Sequence, residues 1–447
     1  MKIILLSGGS GKRLWPLSDD TRSKQFLRLL TSSEGEKESM VQRISRQIKQ
    51  SKLDGDIVVT TTNAQHDSIV NHLGHEVEIV IEPSRRNTFP AIALTAAYLS
   101  KERGCSGDEV VIVVPCDVYS EDSYFDTLAT MAGAVQCGKT DMVLMGVEPK
   151  FASTTFGYIV PEKLSENSSD IAMVNHFEEK PCSQRAEKLL SEGALWNGGV
   201  FAFKLGYITQ IIDKYIDCSS YKEFRERFEE LPKNSFDCEI VEKSTSIAVA
   251  PYRGEWKDLG TWDNLVDAMD DSVMGNGVVI GEGKNRYIVN ELGIPVVSLG
   301  GENLIIAANA NGILVSDIST SSQIRPYVEG FTARPMYEER RWGSYVVLGH
   351  EKFEDGYNAL TKLLNINAGS HISYQYHTCR DEIWTFVDGK GVLIIDDEKI
   401  EVGRGYVAHI KAGQKHAVMA TTDLKIIEVQ SGTNLIEEDI IRLDWKW

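Results

Sequence analysis

A glycine cluster followed by two cations stands near the start of the chain, in the segment SGGSGKRLWPLS at residues 7–18. The apolar run from Lys2 to Leu6 that precedes it is typical of a buried strand. Glycine backbones accept positive φ and approach a ligand closely, so successive N–H groups can point at one anion. We therefore predict a phosphate-binding loop directly after the first strand.

Two widespread phosphate-binding motifs do not fit this loop. A Walker A motif requires Gly-Lys followed by Ser or Thr, whereas Gly11 and Lys12 are followed by Arg13. A dinucleotide-binding fingerprint would require a glycine near Leu14. The loop belongs to neither class, and its own sequence leaves the identity of the bound phosphate open.

A second group of residues that could do chemistry lies near the C-terminus. Five of the nine histidines fall in the last 98 residues, and they are His350, His371, His377, His409 and His416. Imidazole is a common ligand of divalent transition metals, so this clustering favours a metal site.

The elements that must position these residues change character twice along the chain. Up to about residue 270, β-rich runs such as DIVVTTT and DMVLMGV alternate with helical stretches such as FPAIALTAAYLSKE. This alternation predicts an α/β fold with a mostly parallel sheet and a ligand site at the carboxyl ends of its strands. Residues 271–335 read as a β-rich connector, and residues 336–447 as an all-β domain with helix signals only near NLIEEDIIRL. We therefore expect domains at 1–270, 271–335 and 336–447.

Composition narrows the class of protein. The formal net charge of −18 argues against nucleic-acid binding, which needs a basic face. Apolar stretches stay well short of the roughly 18 residues that span a membrane, so we expect no membrane partner. The apolar run after Met1 is too short for a signal-peptide core and has no cleavage-site pattern, so we expect a cytoplasmic location. The seven cysteines occur singly, without a Cys-x-x-Cys pair, which favours reduced thiols.

Several motifs resemble the mannose-1-phosphate guanylyltransferases and occur in the order found in that family. GGSGKRLWPLS and SKQF resemble its extended glycine loop, and EPSRRNTFPAIALTAA at residues 82–97 resembles its EPxxRNTAPAIALAA. VVPCD, FGYIV, FEEKP, LWNGGVFAF, SFDCEIVEKS and WKDLGTWDNL have counterparts as well. The resemblance spans the first 265 residues. It implies a Rossmann-like mixed sheet and transfer of GMP from GTP to mannose 1-phosphate.

Chemistry explains the residue types in these motifs. A sugar phosphate is already ionised, so the obstacle to its attack on a triphosphate is charge repulsion, and cations are needed more than a base. The resemblance implies catalytic roles for Arg13 and Lys24, and for Asp117 and Asp258 as ligands of Mg²⁺. The substrate-binding residues that it implies are Gly8, Gly9, Gly11, Arg86, Asn87, Gly157, Glu179, Lys180 and Asn197.

The histidine-rich segment resembles the two cupin motifs. GSHISYQYHTCRDEIWTFVDG at residues 369–389 follows the first motif and GYVAHIKAGQKH at residues 405–416 the second. The resemblance implies a jelly-roll domain that binds Zn²⁺ or another divalent metal through Gln375, His377, Glu382 and His416.

The domain order as a whole is similar to the bifunctional mannose-1-phosphate guanylyltransferase/mannose-6-phosphate isomerase family. This similarity implies a second activity, the interconversion of mannose 6-phosphate and fructose 6-phosphate, with Arg380 retained beside the metal ligands. Ile383 and Ala417 stand where the family commonly has His and Arg. Two alternatives stay open, namely another sugar phosphate or nucleotide in the first domain and a cupin with a structural or regulatory role. We also expect a homo-oligomer.

Overall fold

The computed structural model describes residues 1–9, 12–19, 21–162, 171–331, 334–437 and 439–447. These residues form two compact units. The first unit comprises Met1–Arg13, Ser23–His66 and His72–Asp270, and the second comprises Leu14–Arg22, Asp67–Asn71 and Asp271–Trp447. None of the described helices combines the length and the apolar character needed to cross a membrane.

Short strands rich in β-branched residues build the first unit. They are β1 (Lys2–Ser7), β2 (Leu30–Thr31), β3 (Lys37–Glu38), β4 (Asp56–Thr62), β5 (Glu78–Glu82), β6 (Val110–Pro115), β7 (Val118–Ser120), β8 (Met142–Val147), β9 (Tyr158–Pro161), β10 (Ala172–Glu178), β11 (Leu195–Lys204), β12 (Ile247–Tyr252) and β13 (Trp256–Asp258).

The main sheet has the order β5-β4-β1-β6-β11-β8-β12-β10-β9. The pairs β1–β4, β1–β6, β4–β5 and β8–β12 are parallel, whereas β11 runs antiparallel to both β6 and β8. The prediction of a Rossmann-like mixed sheet is therefore confirmed. Because β1 and β6 run in parallel with Leu6 opposite Pro115, the loops that follow them leave the same edge.

Most of the helices lie, in sequence, between the strands of the main sheet. They are α1 (Met40–Gln50), α2 (His66–Leu73), α3 (Thr88–Ala97), α4 (Ser123–Gln136), α5 (Ser183–Ser191), α6 (Leu205–Ile212), α7 (Tyr221–Glu226), α8 (Phe236–Glu239) and α9 (Trp262–Val266), with α10 (Arg325–Val328) in the second unit.

The predicted helix FPAIALTAAYLSKE is confirmed as α3 and a π-helical turn, Tyr98–Glu102, that continues it. Phe89 to Ala97 are all buried, because α3 is covered by the sheet on one side and by α6 and α8 on the other. Full burial of an Ile or Leu side chain contributes about 1.5–3 kcal/mol, so this apolar helix anchors the loop that precedes it.

Residues after Asp270 first form short strands separated by turns. These strands are β14 (Val273–Gly275), β15 (Gly277–Ile280), β16 (Arg286–Asn290), β17 (Val296–Leu299), β18 (Leu304–Asn309) and β19 (Gly312–Asp317). β14, β16 and β18 stack in parallel, as do β15 and β17. The buried guanidinium of Arg286 donates to the carbonyls of Ile280, Gly281 and Gly300, and so holds the turns of this stack together.

The remaining strands form two facing sheets around an apolar core. They are β20 (Tyr337–Arg340), β21 (Gly343–Lys352), β22 (Asn358–Ile366), β23 (His371–Tyr376), β24 (Asp381–Asp388), β25 (Lys390–Ile395), β26 (Glu398–Gly403), β27 (Val407–Ile410), β28 (His416–Ala420), β29 (Leu424–Gly432) and β30 (Ile441–Arg442). The sheet orders are β20-β21-β22-β29-β24-β27 and β26-β25-β28-β23-β30, which is the arrangement of a jelly roll.

The helix signal near NLIEEDIIRL is wrong for the described residues of that segment. Ile441 and Arg442 form β30, which pairs with Tyr376 and Gln375 of β23. Asp439 accepts hydrogen bonds from the backbone N–H groups of Thr378 and Cys379. Pairing with a strand distant in sequence therefore outweighs the local helical pattern.

Candidate functional sites

The loops after β1 and β6 meet at one edge of the main sheet and bring two carboxylates together. Asp117 follows β6, and β13 pairs antiparallel with β7 so that Asp258 lies opposite Val118. The ammonium of Lys24 lies between the two carboxylates, 2.6 Å from Asp117 Oδ2 and 3.2 Å from Asp258 Oδ1. We refer to these three residues as the edge cluster.

The two neighbouring carboxylates stabilise the protonated form of Lys24. Burial opposes its protonated form, but the two carboxylates outweigh burial and raise the pKa of the ammonium above its usual range. Gly260 adjoins this cluster, and a Cβ atom there would lie 2.9 Å from both Lys24 Nζ and Asp258 Oδ1. In the edge cluster a cation thus lies between two converging carboxylates. Carboxylate oxygens are the ligands that a hard divalent ion prefers.

The residues of the glycine loop lie beside this cluster. Gly8 and Gly9 line a cleft at the same sheet edge, while Gly11 lies outside the described residues. Arg13 lies in a short 3-10 turn and is exposed. This exposure leaves its guanidinium accessible to an anionic ligand.

The cleft has a volume of ≈ 350 Å³ and lies entirely within the first unit. Its polar wall contains two carboxyls that sequence reasoning did not single out, Glu82 and Asp237. Both lie inside motifs matched to the family, EPSRRNT and SFDCEIVEKS, so their position in a motif was the available signal.

One end of this region gathers four of the predicted substrate-binding residues. Asn197 donates its backbone N–H to the Gly157 carbonyl at 2.8 Å, and its amide donates to Asp237 Oδ1 at 2.6 Å. A Cβ atom on Gly157 would lie 2.5 Å from Glu179 Oε2, and Lys180 Nζ lies 2.7 Å from Glu179 Oε1. Acceptors, donors and one cation therefore converge, as recognition of a phosphorylated sugar requires.

The carboxyl of Asp237 is the most perturbed group at this end. Burial, together with the nearby charge of Glu179, raises its pKa to about 6 despite the hydrogen bond from Asn197. It therefore lies close to half-protonated at a slightly acidic pH.

Arg86 and Asn87 line the cleft wall, and each makes hydrogen bonds within the protein. The Arg86 guanidinium binds the carboxylate of Glu229 and donates to the Leu231 carbonyl at 2.8 Å. Asn87 has φ 76° and caps α3 through Thr88. Nε of Arg86 is buried without a hydrogen-bond partner, so these contacts satisfy its guanidinium only in part.

A buried group of potential metal ligands lies inside the jelly roll. Among the described residues, ligand atoms of His377, Glu382 and His416 lie within 4.8 Å of one another. Gln375 is also buried and lies directly opposite His416 in the strand ladder, so the two side chains share a face. The structure thus brings together three of the predicted ligands and places the fourth beside them.

The hydrogen bonds at Nδ1 of the two imidazoles leave a lone pair on each Nε2 atom, which is the form that binds a metal. Nδ1 of His377 lies 2.5 Å from the Asp439 carbonyl and Nδ1 of His416 lies 3.0 Å from the Gln414 carbonyl. A carbonyl can only accept, so each Nδ1 carries the proton. Nε2 of His416 is buried without a hydrogen-bond partner, as expected for a residue built to bind a metal.

Charged neighbours complete this interior site. Arg380 donates from Nε to Glu382 Oε1 at 2.9 Å and also approaches His377 Nε2, at 3.4 Å. Burial opposes ionisation of Glu382, but the two histidines and Arg380 outweigh burial and lower its pKa. Burial lowers the pKa of His377, which favours the neutral imidazole that metals bind.

A further buried carboxyl, Glu428, was missed by sequence reasoning. The indole N–H of Trp384 donates to Glu382 Oε2 at 3.1 Å and to Glu428 Oε1 at 3.2 Å. Burial and the charge of Glu382 raise the pKa of Glu428 above its usual range. The polar residues at alternate positions of IIEVQSG were the available signal.

The two departures from the family do not alter this interior. Ile383 is exposed on β24, on the face opposite Glu382 and Trp384. Ala417 packs with Tyr374 in a small separate apolar cluster. Because neighbouring residues of a strand point to opposite faces, neither position faces the metal ligands.

Comparison with known proteins identifies the family. The sequence model described as "Nucleotidyl transferase" matches residues 2–273. The chain belongs to the nucleotidyl transferase family. In this nucleotidyl transferase a second family model, described as "Mannose-6-phosphate isomerase C-terminal", matches residues 333–445. The resemblance stated from the motifs is thereby confirmed.

Relatives match this nucleotidyl transferase over nearly its full length. "Mannose-1-phosphate guanylyltransferase 2" of Escherichia coli O157:H7 is 28% identical, over 98% of this chain and 96% of the relative. "Alginate biosynthesis protein AlgA" of Pseudomonas fluorescens is 30% identical, over 99% of this chain and 95% of the relative. A crystal structure described as mannose-1-phosphate geranyltransferase from Thermus thermophilus has a TM-score of 0.60 and 27% identity, covering 74% of this chain and 99% of that one.

Proposed function

We propose that this chain transfers GMP from GTP to mannose 1-phosphate, giving GDP-mannose and pyrophosphate, and that residues 1–270 carry the reaction. The observation that supports it best is the edge cluster, where Asp117, Lys24 and Asp258 converge beside a glycine loop. Relatives named as mannose-1-phosphate guanylyltransferases support the choice of substrates.

In this reaction an oxygen of the sugar phosphate attacks the α-phosphorus of GTP. A new P–O bond forms, the bond to the β-phosphate bridging oxygen breaks, and pyrophosphate carries away the electron pair. Mg²⁺ held by Asp117 and Asp258 would supply positive charge against the crowded phosphate oxygens. Lys24 contributes a fixed positive charge there, while Gly8 and Gly9 offer backbone donors to the phosphates.

The sugar phosphate occupies the end of the cleft region near Asn197. Glu179 and Asn197 accept and donate hydrogen bonds to hydroxyl groups, while Lys180 pairs with the phosphate. Lys180 is exposed over 61% of its side chain, so it can reach an incoming anion. Arg13, which is also exposed, binds the triphosphate from the loop side.

The test is pyrophosphate release by the purified chain with Mg²⁺. GTP, ATP, UTP and dTTP are each combined with mannose 1-phosphate, glucose 1-phosphate and galactose 1-phosphate. We expect GTP with mannose 1-phosphate to be the best pair by at least about tenfold in kcat/KM, a difference of about 1.4 kcal/mol. Absence of pyrophosphate release from that pair would overturn the proposal, and a different best pair would reassign the substrates.

A second function is favoured by the orphaned Nε2 of His416. We propose that residues 336–447 bind Zn²⁺ or another divalent metal through Gln375, His377, Glu382 and His416, and that residues 271–335 connect the two parts. Such a metal would polarise the carbonyl and hydroxyl of an open-chain sugar phosphate. Glu428, whose pKa is raised by burial, and Arg380 are the nearby residues that would serve proton transfer and phosphate binding.

Two measurements distinguish an isomerase from a cupin that has only a structural or regulatory role. Metal content is measured on the full chain, and conversion of mannose 6-phosphate to fructose 6-phosphate is assayed on the same preparation. Conversion that depends on the bound metal supports the isomerase. Bound metal without conversion supports the structural or regulatory alternative. Light scattering on the same sample tests the expected homo-oligomer.

A further inference from the structure

The interior of the jelly roll holds a second charged group beside the metal ligands. Lys362 of β22 is buried, with 4% of its side chain exposed, and it lies directly opposite Glu428 of β29 in the strand ladder. Its ammonium lies 2.7 Å from Glu437 Oε1 and 4.5 Å from the centre of the Tyr345 ring. A buried ammonium is costly unless an anion pairs with it, and Glu437 supplies that anion.

Further cations surround the carboxylate of Glu437. Nη1 of Arg334 lies 3.0 Å from Glu437 Oε1, so Arg334 and Lys362 donate to the same oxygen. Burial opposes ionisation of Glu437, but Lys362, Arg334 and Arg380 outweigh burial and lower its pKa. We refer to Lys362, Arg334 and Arg380 as the cation pocket.

Glu437 is the most exposed side chain of this group. It is 27% exposed, compared with 22% for Arg334 and 3% for Arg380. It lies outside the strands, in the segment between β29 and β30, where Arg334 and Arg380 donate to the carbonyls of Leu435 and Ile436. The Glu437 side chain can therefore rotate out of the cation pocket without unpairing a strand.

The cation pocket adjoins the predicted metal ligands. The indole N–H of Trp384 donates to Glu428 and to the ligand Glu382, and the amide of Gln430 donates to Glu428 at 2.9 Å. Glu382 lies on β24 and Lys362 on β22, with β29 between them, so these strands are about 10 Å apart. An open-chain sugar whose carbonyl end lies at the metal ligands can extend its far end toward Lys362.

A phosphate monoester is the anion that suits the cation pocket. Guanidinium groups match phosphate oxygens in bidentate pairs, and a lysine adds a point charge. A phosphate monoester carries about −1.5 to −2 charges at neutral pH and three acceptor oxygens, whereas a carboxylate carries one charge and two oxygens. Because Lys362 and Arg334 share the single charge of Glu437, a dianion would neutralise them more completely.

We infer that Lys362, Arg334 and Arg380 bind the phosphate of the sugar phosphate, and that Glu437 occupies their pocket as an internal competitor until the substrate displaces it. The inference rests on the proposed isomerase and adds an autoinhibitory contact to it. Such a competitor lowers the apparent affinity for substrate by the fraction of molecules in which the pocket is open.

The experiment titrates inorganic phosphate into the full chain by calorimetry. We expect Glu437→Gln to bind phosphate at least about tenfold more tightly than the wild type, because the neutral amide competes less well for the cations. The double variant Glu437→Gln, Lys362→Met should lose this gain. Phosphate bound by residues 1–270 contributes equally to all these proteins, so the differences report on the jelly roll.

Three controls accompany the titration. Asp388→Asn breaks an exposed ion pair with Arg404 at the end of β24 and should keep the wild-type affinity. Mannose, which lacks the phosphate, should not distinguish the variants. Glu437→Asp replaces Glu437→Gln if the latter does not fold by circular dichroism, since its shorter side chain should reach the cations less well and also tighten phosphate binding.

Thermal unfolding separates an anion site from a purely structural ion pair. Glu437→Gln leaves Lys362 buried without its anion, so this variant should unfold at a lower temperature than the wild type. Phosphate should raise the unfolding temperature of Glu437→Gln more than that of the wild type, because a ligand stabilises the state that binds it. A loss of stability that phosphate does not restore would contradict the inference.

Isomerisation of mannose 6-phosphate by the same proteins separates this inference from the proposal on which it rests. KM should fall in Glu437→Gln and rise at least about tenfold in Lys362→Met. Wild-type phosphate affinity in a folded Glu437→Gln protein overturns the inference, and so does a wild-type KM in an active Lys362→Met enzyme. Tighter phosphate binding by Glu437→Gln, with no conversion by any protein, supports the cation pocket and refutes the isomerase.

Discussion

Replacing Lys24 with Met should change metal binding and catalysis in opposite directions. In the free enzyme the Lys24 ammonium contacts the two carboxylates that we assign to Mg²⁺, at 2.6 and 3.2 Å. A divalent ion that binds there without nucleotide must displace this ammonium or share the carboxylates with it. Removing the ammonium leaves two uncompensated carboxylates, which should attract the ion more strongly.

The size of the effect follows from the distances and exposures. Two unit charges about 4 Å apart attract by about 1 kcal/mol in bulk water and about 4 kcal/mol at an effective dielectric of 20. Because Asp117 and Asp258 are 31% and 35% exposed, we take the lower part of this range, about 1–2 kcal/mol per contact. The affinity of the nucleotide-free protein for Mn²⁺ should therefore rise by at least about tenfold in Lys24→Met.

Catalysis should fall in the same variant. A fixed positive charge aimed at the reacting phosphates is comparable to one oxyanion-stabilising donor, whose loss costs about 10²–10³ in kcat. Mn²⁺ affinity is measured by electron paramagnetic resonance or calorimetry, and kcat by pyrophosphate release. Lys2→Met is the matched control, because Lys2 pairs with Asp56 at the opposite end of β1. Unchanged or weaker Mn²⁺ binding in Lys24→Met would refute the reasoning.

Further substitutions test the remaining parts of the two sites. Asp258→Asn should abolish pyrophosphate release without changing the metal content of the cupin, and loss of both would contradict independent sites. His416→Ala should remove the cupin metal, measured by mass spectrometry, and leave pyrophosphate release intact; a retained metal would exclude this ligand. Gly260→Ala places a Cβ 2.9 Å from Lys24 Nζ and should lower kcat by about tenfold or more, with unfolding by urea as the control. Asp237→Asn tests the raised pKa of Asp237, which is about 6. Because the folded state binds this proton more tightly than the unfolded state, the free energy of unfolding of the wild type falls as pH rises from about 4 to 6. Asn should therefore increase the free energy of unfolding by up to about 3 kcal/mol at pH 7.5 and by little at pH 4, and equal changes at the two pH values would contradict the shift.

Local patterns predicted much of the fold because they depend on neighbours in sequence. The run DIVVTTT is β4, and DMVLMGV contains β8, since short β-branched runs bounded by turns have few other stable conformations. The helix prediction for the C-terminal segment was wrong because its structure depends on residues distant in sequence. Ile441 and Arg442 are drawn into β30 by hydrogen bonds to a strand far away in the chain, which no local window contains.

Three carboxyl residues of the two sites could not be singled out from the sequence alone. Glu82, Asp237 and Glu428 look like ordinary acids in the sequence, and each lay within a segment matched to the family. Their importance comes from burial, which raises the pKa of each one. Burial is produced by segments that are distant in sequence, so residue type alone could not distinguish these acids from solvated ones.

By itself, the sequence determined the family, the order of the elements and the kinds of groups available for phosphate and metal chemistry. It could do so because motifs are local arrangements of residue types. The tertiary structure alone decided which groups meet: Lys24 lies between Asp117 and Asp258, and Glu82 lies beside Gly8. Charge interactions and desolvation depend on distance in space, and the pairing of β7 with β13 and of β1 with its parallel neighbours sets those distances.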